Sequence, residues 1–579
     1  MYSRIGALIG KSAKGIWVST FHSFCARTLR QYAETLGYSR DFTIYDADDT
    51  KNLIKRILKN YSINLQISPK GIAEKISRAK NSFVLPKDYP EFDDFRAPLI
   101  KKVYELYQEG LKDNNSMDFD DLLLNAHKLL SQSNEALSRF SFKYILVDEY
   151  QDTNHIQYEL LKLLSAKHKN LTVVGDEDQS IYGFRGADIR NILRFEKDFP
   201  NAKLIRLEEN YRSTKKILKA ASKVVSHNTL RLPKELRTNN PAGEPLSLFS
   251  APDASQEADE LVNIIKQLSR PLNDFVVLYR TNAQSRVIEE AFRLSNIPYT
   301  IVGGIRFYER KEIKDTLAHL RVLVNPDDSV ALNRIINFPP RGISPGTLQI
   351  LSQFAEKHSI SVYFALGKVD EIELSEKRRN AVKKFFALME AHRKNPDRPA
   401  KLIDTILHET GYWDSLEIEN TPEAQSRIEN LQELIRGASD YNTISDFLET
   451  VSLFTNIDAW DDTQSHITLM TAHNAKGLEF PVVFITGLEE GLFPHSLSLN
   501  SEIELEEERR LFHVALTRAK EKVYLSYVDG GRYSPKHGNT VERKSYASSL
   551  KSRFLDEIPP DLIEEADVYN HGLTQIITP

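Results

Sequence analysis

Short, continuously apolar runs alternate with long helical patterns along this chain, and this alternation limits the fold more than any other feature. Apolar runs without polar alternation are typical of strands in a parallel sheet that is covered on both faces. The sequence therefore predicts the α/β class. The predicted strands are Trp17–Ser19, Tyr144–Val147, Leu171–Val174, Lys203–Leu207, Phe275–Tyr279, Ile467–Thr471, Val482–Thr486 and Val523–Ser526.

Two long stretches between these runs carry helical spacing and few strand signals, one at about 42–112 and the other at about 310–462. We interpret them as helical insertions, each interrupting one of two α/β sheets. The segment from Asp556 onward contains DEIPPDLIEEAD, and we interpret this acidic stretch as a solvated tail.

Composition narrows the class of protein. The 579 residues include 76 Lys and Arg against 81 Asp and Glu, a net charge of −5, which argues against a wholly basic nucleic-acid binder but leaves room for a local basic channel. The single cysteine, Cys25, excludes an intramolecular disulfide and fits a reducing compartment. An apolar run of about 18 residues is absent, as is the apolar core of a signal peptide. We therefore expect a cytoplasmic protein with no membrane partner.

The string ILVDEYQDTN at 145–154 places two carboxylates, Asp148 and Glu149, directly after an apolar strand. In a parallel α/β sheet the carboxyl ends of the strands face the ligand crevice. One acid there can hold Mg²⁺, and the next can orient or deprotonate an attacking water. The alternative is a solvated turn after a core strand, which the extended string DEYQDTN makes less attractive.

The next predicted strand also ends in polar residues, Gly175 and Asp176, and Gln179 follows. An amide at this place can contact a γ-phosphate or its attacking water. Tyr182 and Phe184, beside Arg185, resemble a platform on which nucleic-acid bases stack. The alternative is that the two aromatic residues belong to the core.

Two arginines and one polar loop complete the set of candidates. Tyr211 can stack on a base, and Arg212 beside it can bind phosphate in a bidentate manner. Arg518, one position from the apolar face of the helix 506–522, can act as an arginine finger. The alternative for each arginine is a surface ion pair. The loop after Ile467–Thr471 carries His473 and Glu479 without a second ligand at metal spacing, which favours a phosphate-backbone contact over a metal site.

Eight separated strings, taken in order, resemble the UvrD/PcrA/Rep family of superfamily 1 DNA helicases. The resemblance covers nearly the whole chain, from Trp17 to Pro559. The strings are TFHSFCARTLR, DFDDLLL, ILVDEYQDTN, VVGDEDQSIYGFRGAD, LEENYRST, GGIRFYERKEIKDTLAHLR, LMTAHNAKGLEFPVVF and EEERRLFHVALTRAK.

The resemblance implies an ATP-driven 3′→5′ helicase that moves along single-stranded DNA in repair or replication. It also implies ATP and Mg²⁺ as cofactors, with single-stranded DNA and its junctions with duplex as partners. The expected architecture has two RecA-like domains, each with a helical insertion. These are 1–41 with 113–206 (domain 1A, truncated at its N-terminus), 42–112 (insertion 1B), 207–309 with 463–579 (domain 2A) and 310–462 (insertion 2B).

Residue roles follow from the motif matches alone. The resemblance implies that Asp148 binds Mg²⁺ and that Glu149 activates water. Gln179, Arg212 and Arg518 would contact the γ-phosphate, Tyr211 would stack on adenine, and Glu479 would bind the ribose. The expected single-stranded DNA track consists of Thr20, Phe21, His22, Tyr182, Phe184, Arg185 and His473.

Some strings depart from the family pattern. Phe184 stands where family members usually have Trp, Arg237 replaces the aromatic residue of another string, and Gly342-Ile343-Ser344 replaces a duplex-contacting GIG turn. The family's GxGTGKT phosphate loop is absent from the sequence. The nearest match, Gly6–Ser12, has three residues between its glycines instead of four and no room for a preceding strand.

We therefore expect a fragment that starts after the phosphate loop, from a truncated gene model or an internal methionine. The main alternative is a catalytically inactive, single-stranded DNA-binding protein. A helicase–nuclease subunit is disfavoured because little sequence follows SRFLDEIP, and an RNA-directed helicase is disfavoured by DEYQDTN and GDEDQSIY.

Overall fold

The computed structural model describes residues 2–10, 15–63, 65, 67–90, 96–232, 234–303, 306–456, 465–529 and 550–566. The chain divides into two compact units. Unit 1 comprises Met1–Ile205 with Ile418–Thr421, and unit 2 comprises Arg206–Glu417 with Pro422–Pro579.

The first half of unit 1 places three helices between two short parallel strands. β1 pairs with β2, with Thr43 opposite Ser116, so the segment that contains the three helices begins and ends at neighbouring positions. Buried side chains such as Ile54, Ile72 and Tyr104 join these three helices in a core of their own. The elements are α1 (Tyr2–Ile9), α2 (Phe21–Tyr32), β1 (Thr43–Tyr45), α3 (Ala47–Asn60), α4 (Pro69–Asn81), α5 (Ala97–Asp113), β2 (Ser116–Asp118) and α6 (Phe119–Gln132).

The second half of unit 1 contains a parallel pair of strands that carries the candidate site. β3 and β4 run side by side, with Leu146 opposite Thr172. The helix after β3 begins at a capping box in which Asn154 and Gln157 satisfy each other's backbone N–H groups. The elements are α7 (Asn134–Arg139), β3 (Ile145–Val147), α8 (His155–Ser165), β4 (Leu171–Val173), α9 (Arg190–Leu193) and α10 (Phe195–Asp198).

One face of this strand pair is bare among the described residues. Leu146 is 79% exposed and Val174 is 52% exposed, and both lie on the same side as Thr172. The opposite face packs Val147 against the buried Tyr158. Among the described residues β3 and β4 are therefore covered on one face only, whereas the sequence predicts cover on both.

Two predicted strands are absent. Trp17–Ser19 and Lys203–Leu207 have irregular backbone. A strand forms where its N–H and C=O groups meet a neighbouring ladder, and within the described ranges neither segment has one. Side chains of the second segment lie in solvent instead of in a core, with Leu207 81% exposed.

Unit 2 is organised around a parallel sheet of seven strands in the order β11-β5-β10-β9-β6-β8-β7. The predicted strands Phe275–Tyr279 and Ile467–Thr471 are confirmed with the same bounds. Phe275, Val277 and Phe484 of the central strands are buried together. The sheet and its helices are α11 (Lys215–Val225), β5 (Leu246–Ala251), α12 (Ala254–Leu268), β6 (Phe275–Tyr279), α13 (Ser285–Leu294), β7 (Tyr299–Ile301), β8 (Ile467–Thr471), β9 (Phe480–Ile485), α23 (Glu502–Leu516), β10 (Ala519–Val528), α24 (Arg553–Asp556) and β11 (Ile563–Glu565).

The segment between β7 and β8 is helical and encloses a continuous apolar core. Within it Gly342 has φ +83°, whereas Ser344 is extended and caps the next helix, so only the first position of the Gly-Ile-Ser turn requires glycine. The helices are α14 (Lys311–Val324), α15 (Ser329–Ile335), α16 (Pro345–Lys357), α17 (Val362–Gly367), α18 (Glu376–Lys394), α19 (Pro399–Glu409), α20 (Tyr412–Glu419), α21 (Pro422–Ala438) and α22 (Ile444–Asn456).

The interpretation of the chain after Asp556 as a solvated tail is wrong for 557–566. Ile563 pairs with Leu246, which makes β11 the edge strand of the large sheet. Leu562 is buried, and the Glu564 carboxylate accepts from Lys522 Nζ at 2.7 Å. Apolar residues between the acids thus anchor this segment, while residues 567–579 lie outside the described part. No described helix is long and apolar enough to cross a lipid bilayer.

Candidate functional site

The turn after β3 presents two exposed carboxylates. Asp148 follows the strand, and its Oδ1 accepts from the backbone N–H of Glu149 at 3.0 Å. Glu149 has φ +52°, an uncommon conformation for a residue with a side chain. Such strained positions concentrate at functional sites because the surrounding structure must hold them.

Gln151 links the ends of β3 and β4. Its Nε2 donates to Glu149 Oε2 at 2.5 Å, and its Oε1 accepts from the N–H of Asp176 at 3.0 Å. Asp176 Oδ2 accepts in turn from Gln179 Nε2 at 2.8 Å. A side chain at Gly175 would place its Cβ 2.6 Å from Gln151 Oε1, so the Gln151 side chain would have to move to admit it. The structure thus links Glu149 and Gln179 at the ends of the two strands through Asp176 and a buried glutamine, Gln151, that the sequence interpretation did not single out.

The aromatic platform lies after Gln179. The rings of Tyr182 and Phe184 are 6.1 Å apart and inclined by 57°. The Arg185 guanidinium lies over both, 5.2 Å from the first ring centroid and 5.3 Å from the second. Phe184 is 56% exposed, so it is not a core aromatic.

The start of α2 carries the remaining candidates of unit 1. Thr20 is the N-cap and accepts from the N–H of Ser23. Phe21 packs partly against the core, which reduces the ring area it offers to a ligand. His22 contacts Phe119 edge to face, and burial lowers the pKa of His22.

A cavity of about 430 Å³ opens between α2, α4 and the loop of Tyr182. It has both polar and aromatic walls, and every lining residue belongs to unit 1. The lining residues are His22, Ser77, Asn81, Asp120, Asp152, Asn154, Gln157, Tyr182, Arg185 and Ala187.

A buried ion network lies next to this cavity. Lys80 is fully buried and lies 2.6 Å from Asp118 Oδ2 and 2.8 Å from Asp121 Oδ1. Tyr107 also donates to Asp118, at 2.9 Å. Burial and the neighbouring Asp118 carboxylate raise the pKa of Asp121 to about 7. The next residues of the two segments, Asn81 and Asp120, line the cavity.

In unit 2, Arg212 and Glu479 form an ion pair. Arg212 Nε donates to Glu479 Oε2 at 2.8 Å, and Lys520 Nζ lies 2.9 Å from Glu479 Oε1. Hydrogen bonds from Arg212 and Lys520 lower the pKa of Glu479 to about 2. The backbone of Arg212 is fixed by Asn210, whose Oδ1 accepts its N–H at 3.0 Å. Lys520 is a partner that the sequence interpretation missed.

Arg518 lies near this pair but is buried, with 2% exposure. Its guanidinium donates to Val514 O at 2.9 Å and to Leu478 O at 3.3 Å, and Arg212 donates to the carbonyl of the adjacent Thr517 at 3.2 Å. Arg518 thus hydrogen-bonds groups within its own unit.

The two remaining candidates of unit 2 are Tyr211 and His473. Tyr211 is 80% exposed, as a stacking residue requires. His473 lies half-buried in the turn that follows β8.

Comparison with known proteins places the chain in one family. The model of the UvrD/REP helicase N-terminal domain matches residues 1–200, and that of the UvrD-like helicase C-terminal domain matches 205–530. The chain belongs to the UvrD/REP helicase family. By family, it is an ATP-dependent DNA helicase.

Individual relatives agree over nearly the whole chain. An ATP-dependent DNA helicase PcrA of Staphylococcus epidermidis is 44% identical over 586 residues, which cover 97% of this chain and 79% of the relative. The PcrA of Staphylococcus aureus is 44% identical over 601 residues, covering 100% of this chain and 80% of the relative.

Proposed function

We propose that the protein is a 3′→5′ translocase and helicase that moves along single-stranded DNA and acts in DNA repair or replication. The observation that carries the proposal is the joining of Glu149 and Gln179 at the ends of two adjacent parallel strands, through Gln151 and Asp176. That geometry supports ATP hydrolysis because an acid and an amide face the place where a terminal phosphate would react.

In this proposal the Glu149 carboxylate orients the attacking water and accepts its proton. Gln179 donates to a γ-phosphate oxygen, and its amide is already oriented by Asp176. The exposed Asp148 carboxylate fits the preference of Mg²⁺ for oxygen ligands, so Asp148 would hold the ion. When bound, Mg²⁺ would neutralise charge on the phosphate oxygens.

The proposal assigns the residues of unit 2 to the same nucleotide. Tyr211 stacks on adenine, and Glu479, held ionised by Arg212 and Lys520, accepts from the ribose hydroxyls. Arg212 and Arg518 stabilise charge on the γ-phosphate. Since Arg518 now donates to carbonyls of its own unit, it must exchange those partners for phosphate during turnover.

We also propose the RecA-like organisation of domains 1A and 2A with insertions 1B and 2B, at the boundaries given above. The parallel strands of both units and the helices within 42–112 and 310–462 support it. Single-stranded DNA would follow Thr20, Phe21, His22, Tyr182, Phe184 and Arg185, with His473 contributing from unit 2. Junctions of single strand with duplex would also be bound.

The phosphate loop is proposed to come from polypeptide outside residues 1–579. Gly6, the first residue of the Gly6–Ser12 match, lies within α1 rather than at the end of a strand, and residues 11–14 lie outside the described part. Leu146 and Val174 are exposed on one face of β3 and β4, and a helix of that further polypeptide would cover this face.

The lack of a GxGTGKT string in the sequence favours a second candidate function. Without a loop that holds the β- and γ-phosphates, residues 1–579 would bind single-stranded DNA but hydrolyse no ATP. We expect this behaviour of the chain by itself, and we expect activity once the phosphate-loop segment of a PcrA relative is fused to its N-terminus.

The test is DNA-stimulated ATP hydrolysis by the chain and by the fusion. Glu149→Gln in the fusion should abolish turnover and spare ATP binding, whereas the exposed control Glu135→Gln should leave turnover unchanged. Full turnover by Glu149→Gln would refute the assigned role. Robust hydrolysis by residues 1–579, lost on Lys11→Ala, would instead make Gly6–Ser12 a phosphate site.

A further inference from the structure

The proposed function gives the Arg212 guanidinium two anionic partners, the Glu479 carboxylate and the γ-phosphate of the nucleotide. In the structure Arg212 Nε donates to Glu479 Oε2 at 2.8 Å, and its Nη1 donates to the carbonyl of Thr517 at 3.2 Å. The carboxylate attracts the guanidinium at this distance and therefore competes with the phosphate for it. The contact with Glu479 thus opposes the transfer of Arg212 to the nucleotide.

Lys520 is a second cation beside this carboxylate. Its Nζ lies 2.9 Å from Glu479 Oε1, the oxygen that Arg212 Nε does not contact. Because Lys520 neutralises part of the carboxylate charge, it weakens the attraction between Glu479 and Arg212. The carboxylate also keeps a counter-ion when Arg212 departs.

The main chain holds the two cations side by side. Ser213 Oγ donates to the carbonyl of Ala519 at 2.7 Å, and the N–H of Thr214 donates to the carbonyl of Lys520 at 3.2 Å. These bonds join the segment that follows Arg212 to the start of β10. The backbone position of Lys520 is therefore fixed relative to Arg212 within unit 2.

All three charged side chains are partly open to solvent, so a ligand can reach them. Arg212, Glu479 and Lys520 are 27%, 46% and 40% exposed. A carboxylate has about four acceptor positions, and the two cations use two of them. Glu479 thus has acceptor capacity left for ribose hydroxyls while Lys520 stays in place.

We propose that Lys520 is a positioning residue that holds Glu479 and thereby releases Arg212 to the γ-phosphate. With Lys520 present, Arg212 leaves a carboxylate that another cation already neutralises. Without it, Arg212 would leave behind a carboxylate that has lost both cations. The inference rests on the proposed roles of Arg212 and Glu479 in ATP hydrolysis and adds Lys520 to them.

Steady-state ATP hydrolysis by the fusion, with saturating single-stranded DNA, tests this role. Lys520→Met should lower kcat about 2- to 5-fold, the fold-change expected for one partly exposed ion pair. KM for ATP should stay nearly unchanged, because the lost step is the transfer of Arg212 and not the binding of the nucleotide. Lys520→Arg, which keeps the cation, should restore kcat. The control Lys266→Met, at an exposed lysine of α12, should leave both constants unchanged.

A double-mutant cycle separates positioning from a direct contact with the nucleotide. In the Glu479→Gln background the neutral amide holds Arg212 only weakly, so adding Lys520→Met should have no further effect on kcat. A loss of kcat that persists in this background would mean that Lys520 acts on the nucleotide itself, which would overturn the positioning role.

A chemical readout in residues 1–579 measures the hold on Arg212 without any nucleotide. Phenylglyoxal modifies arginine guanidinium groups, and a carboxylate partner protects them. Mass spectrometry of the peptide that contains Arg212 should show modification about 2- to 5-fold slower in Lys520→Met, the same fold-change as for kcat. In the Glu479→Gln background the rates with and without Lys520→Met should be equal.

The outcomes separate this inference from the proposed function. An unchanged kcat in Lys520→Met, or an unchanged modification rate of Arg212, would overturn the role of Lys520 alone. Full turnover by Arg212→Ala in the fusion would instead refute the proposed role of that arginine. If the fusion hydrolyses no ATP, the proposed function fails, and the modification rates still decide whether Lys520 weakens the pair of Arg212 and Glu479.

Discussion

Replacing Lys80 with methionine tests whether the network behind the cavity holds unit 1 together. The Lys80 ammonium is fully buried between Asp118 and Asp121, at 2.6 and 2.8 Å. Methionine keeps most of the side-chain volume but removes the charge. Two buried carboxylates then lose their cation, and Asp118 keeps only neutral donors such as Tyr107.

Removing one partner of a buried ion pair costs about 3–5 kcal/mol, because the other charge stays buried without compensation. Since Lys80 serves two carboxylates, we expect Lys80→Met to lower the free energy of unfolding of unit 1 by at least that amount at pH 8. The triple variant Lys80→Met, Asp118→Asn, Asp121→Asn should recover much of the loss because it buries no charge. Lys102→Met, which removes an exposed pair with Glu105, should cost less than about 1 kcal/mol.

The loss of unfolding free energy in Lys80→Met should become smaller as the pH falls. Burial, together with Asp118, raises the folded-state pKa of Asp121 to about 7, above its ordinary value of 3.8. The stability associated with a raised carboxyl pKa is fully present below the unfolded value and is lost as the pH rises through the folded one. Lys80 opposes this shift, so its removal raises the pKa further. The deficit of Lys80→Met should therefore shrink between pH 8 and pH 5.

Urea unfolding followed by the fluorescence of Trp17 measures this change in unit 1. The sequence has three tryptophans, so Trp413→Phe and Trp460→Phe in every variant leave Trp17 as the only one. Unit 1 is part of a larger chain, and the single probe isolates its transition. A loss below about 1 kcal/mol, or a deficit that grows as the pH falls, would refute the reasoning.

Three further predictions concern other parts of the chain. Phe184→Ala should weaken binding of single-stranded DNA by about 1–3 kcal/mol in an anisotropy titration, and unchanged affinity would remove it from the track. Leu562→Ala should lower the free energy of unfolding of unit 2 by about 2–5 kcal/mol in urea, whereas the exposed control Leu550→Ala should not. Gly175→Ala should displace Gln151 and lower DNA-stimulated ATP hydrolysis by the fusion with little loss of folding, and unchanged hydrolysis would exclude that link.

The strands at the centre of the large sheet could be predicted from the sequence because both of their faces are buried. Phe275–Tyr279 is continuously apolar and Ile467–Thr471 is interrupted only by threonine, as is typical of a covered parallel strand. The carboxylates after β3 were predictable for a related reason. They follow directly on an apolar run, which fixes them at the carboxyl end of a strand.

The edge strand of the large sheet and the side-chain contacts that connect separate segments could not be predicted in this way. Ile563–Glu565 is an edge strand with two acidic residues out of three, and its pairing depends on β5, more than 300 residues earlier in the chain. Trp17–Ser19 has the pattern of a strand but lacks a neighbouring one among the described residues. Gln151 hydrogen-bonds Glu149, and Lys520 pairs with Glu479. Neither contact follows a spacing rule that a single sequence reveals, so neither residue could be predicted.

The direction of movement along DNA tests the central proposal most directly. Streptavidin bound to a biotin at either end of a single-stranded oligonucleotide is displaced by a translocase that arrives at that end. With ATP and Mg²⁺, the fusion that carries the phosphate loop should displace streptavidin from the 5′ end, and Glu149→Gln should displace none. Displacement from the 3′ end alone, or equal displacement by Glu149→Gln, would contradict the proposed 3′→5′ translocase.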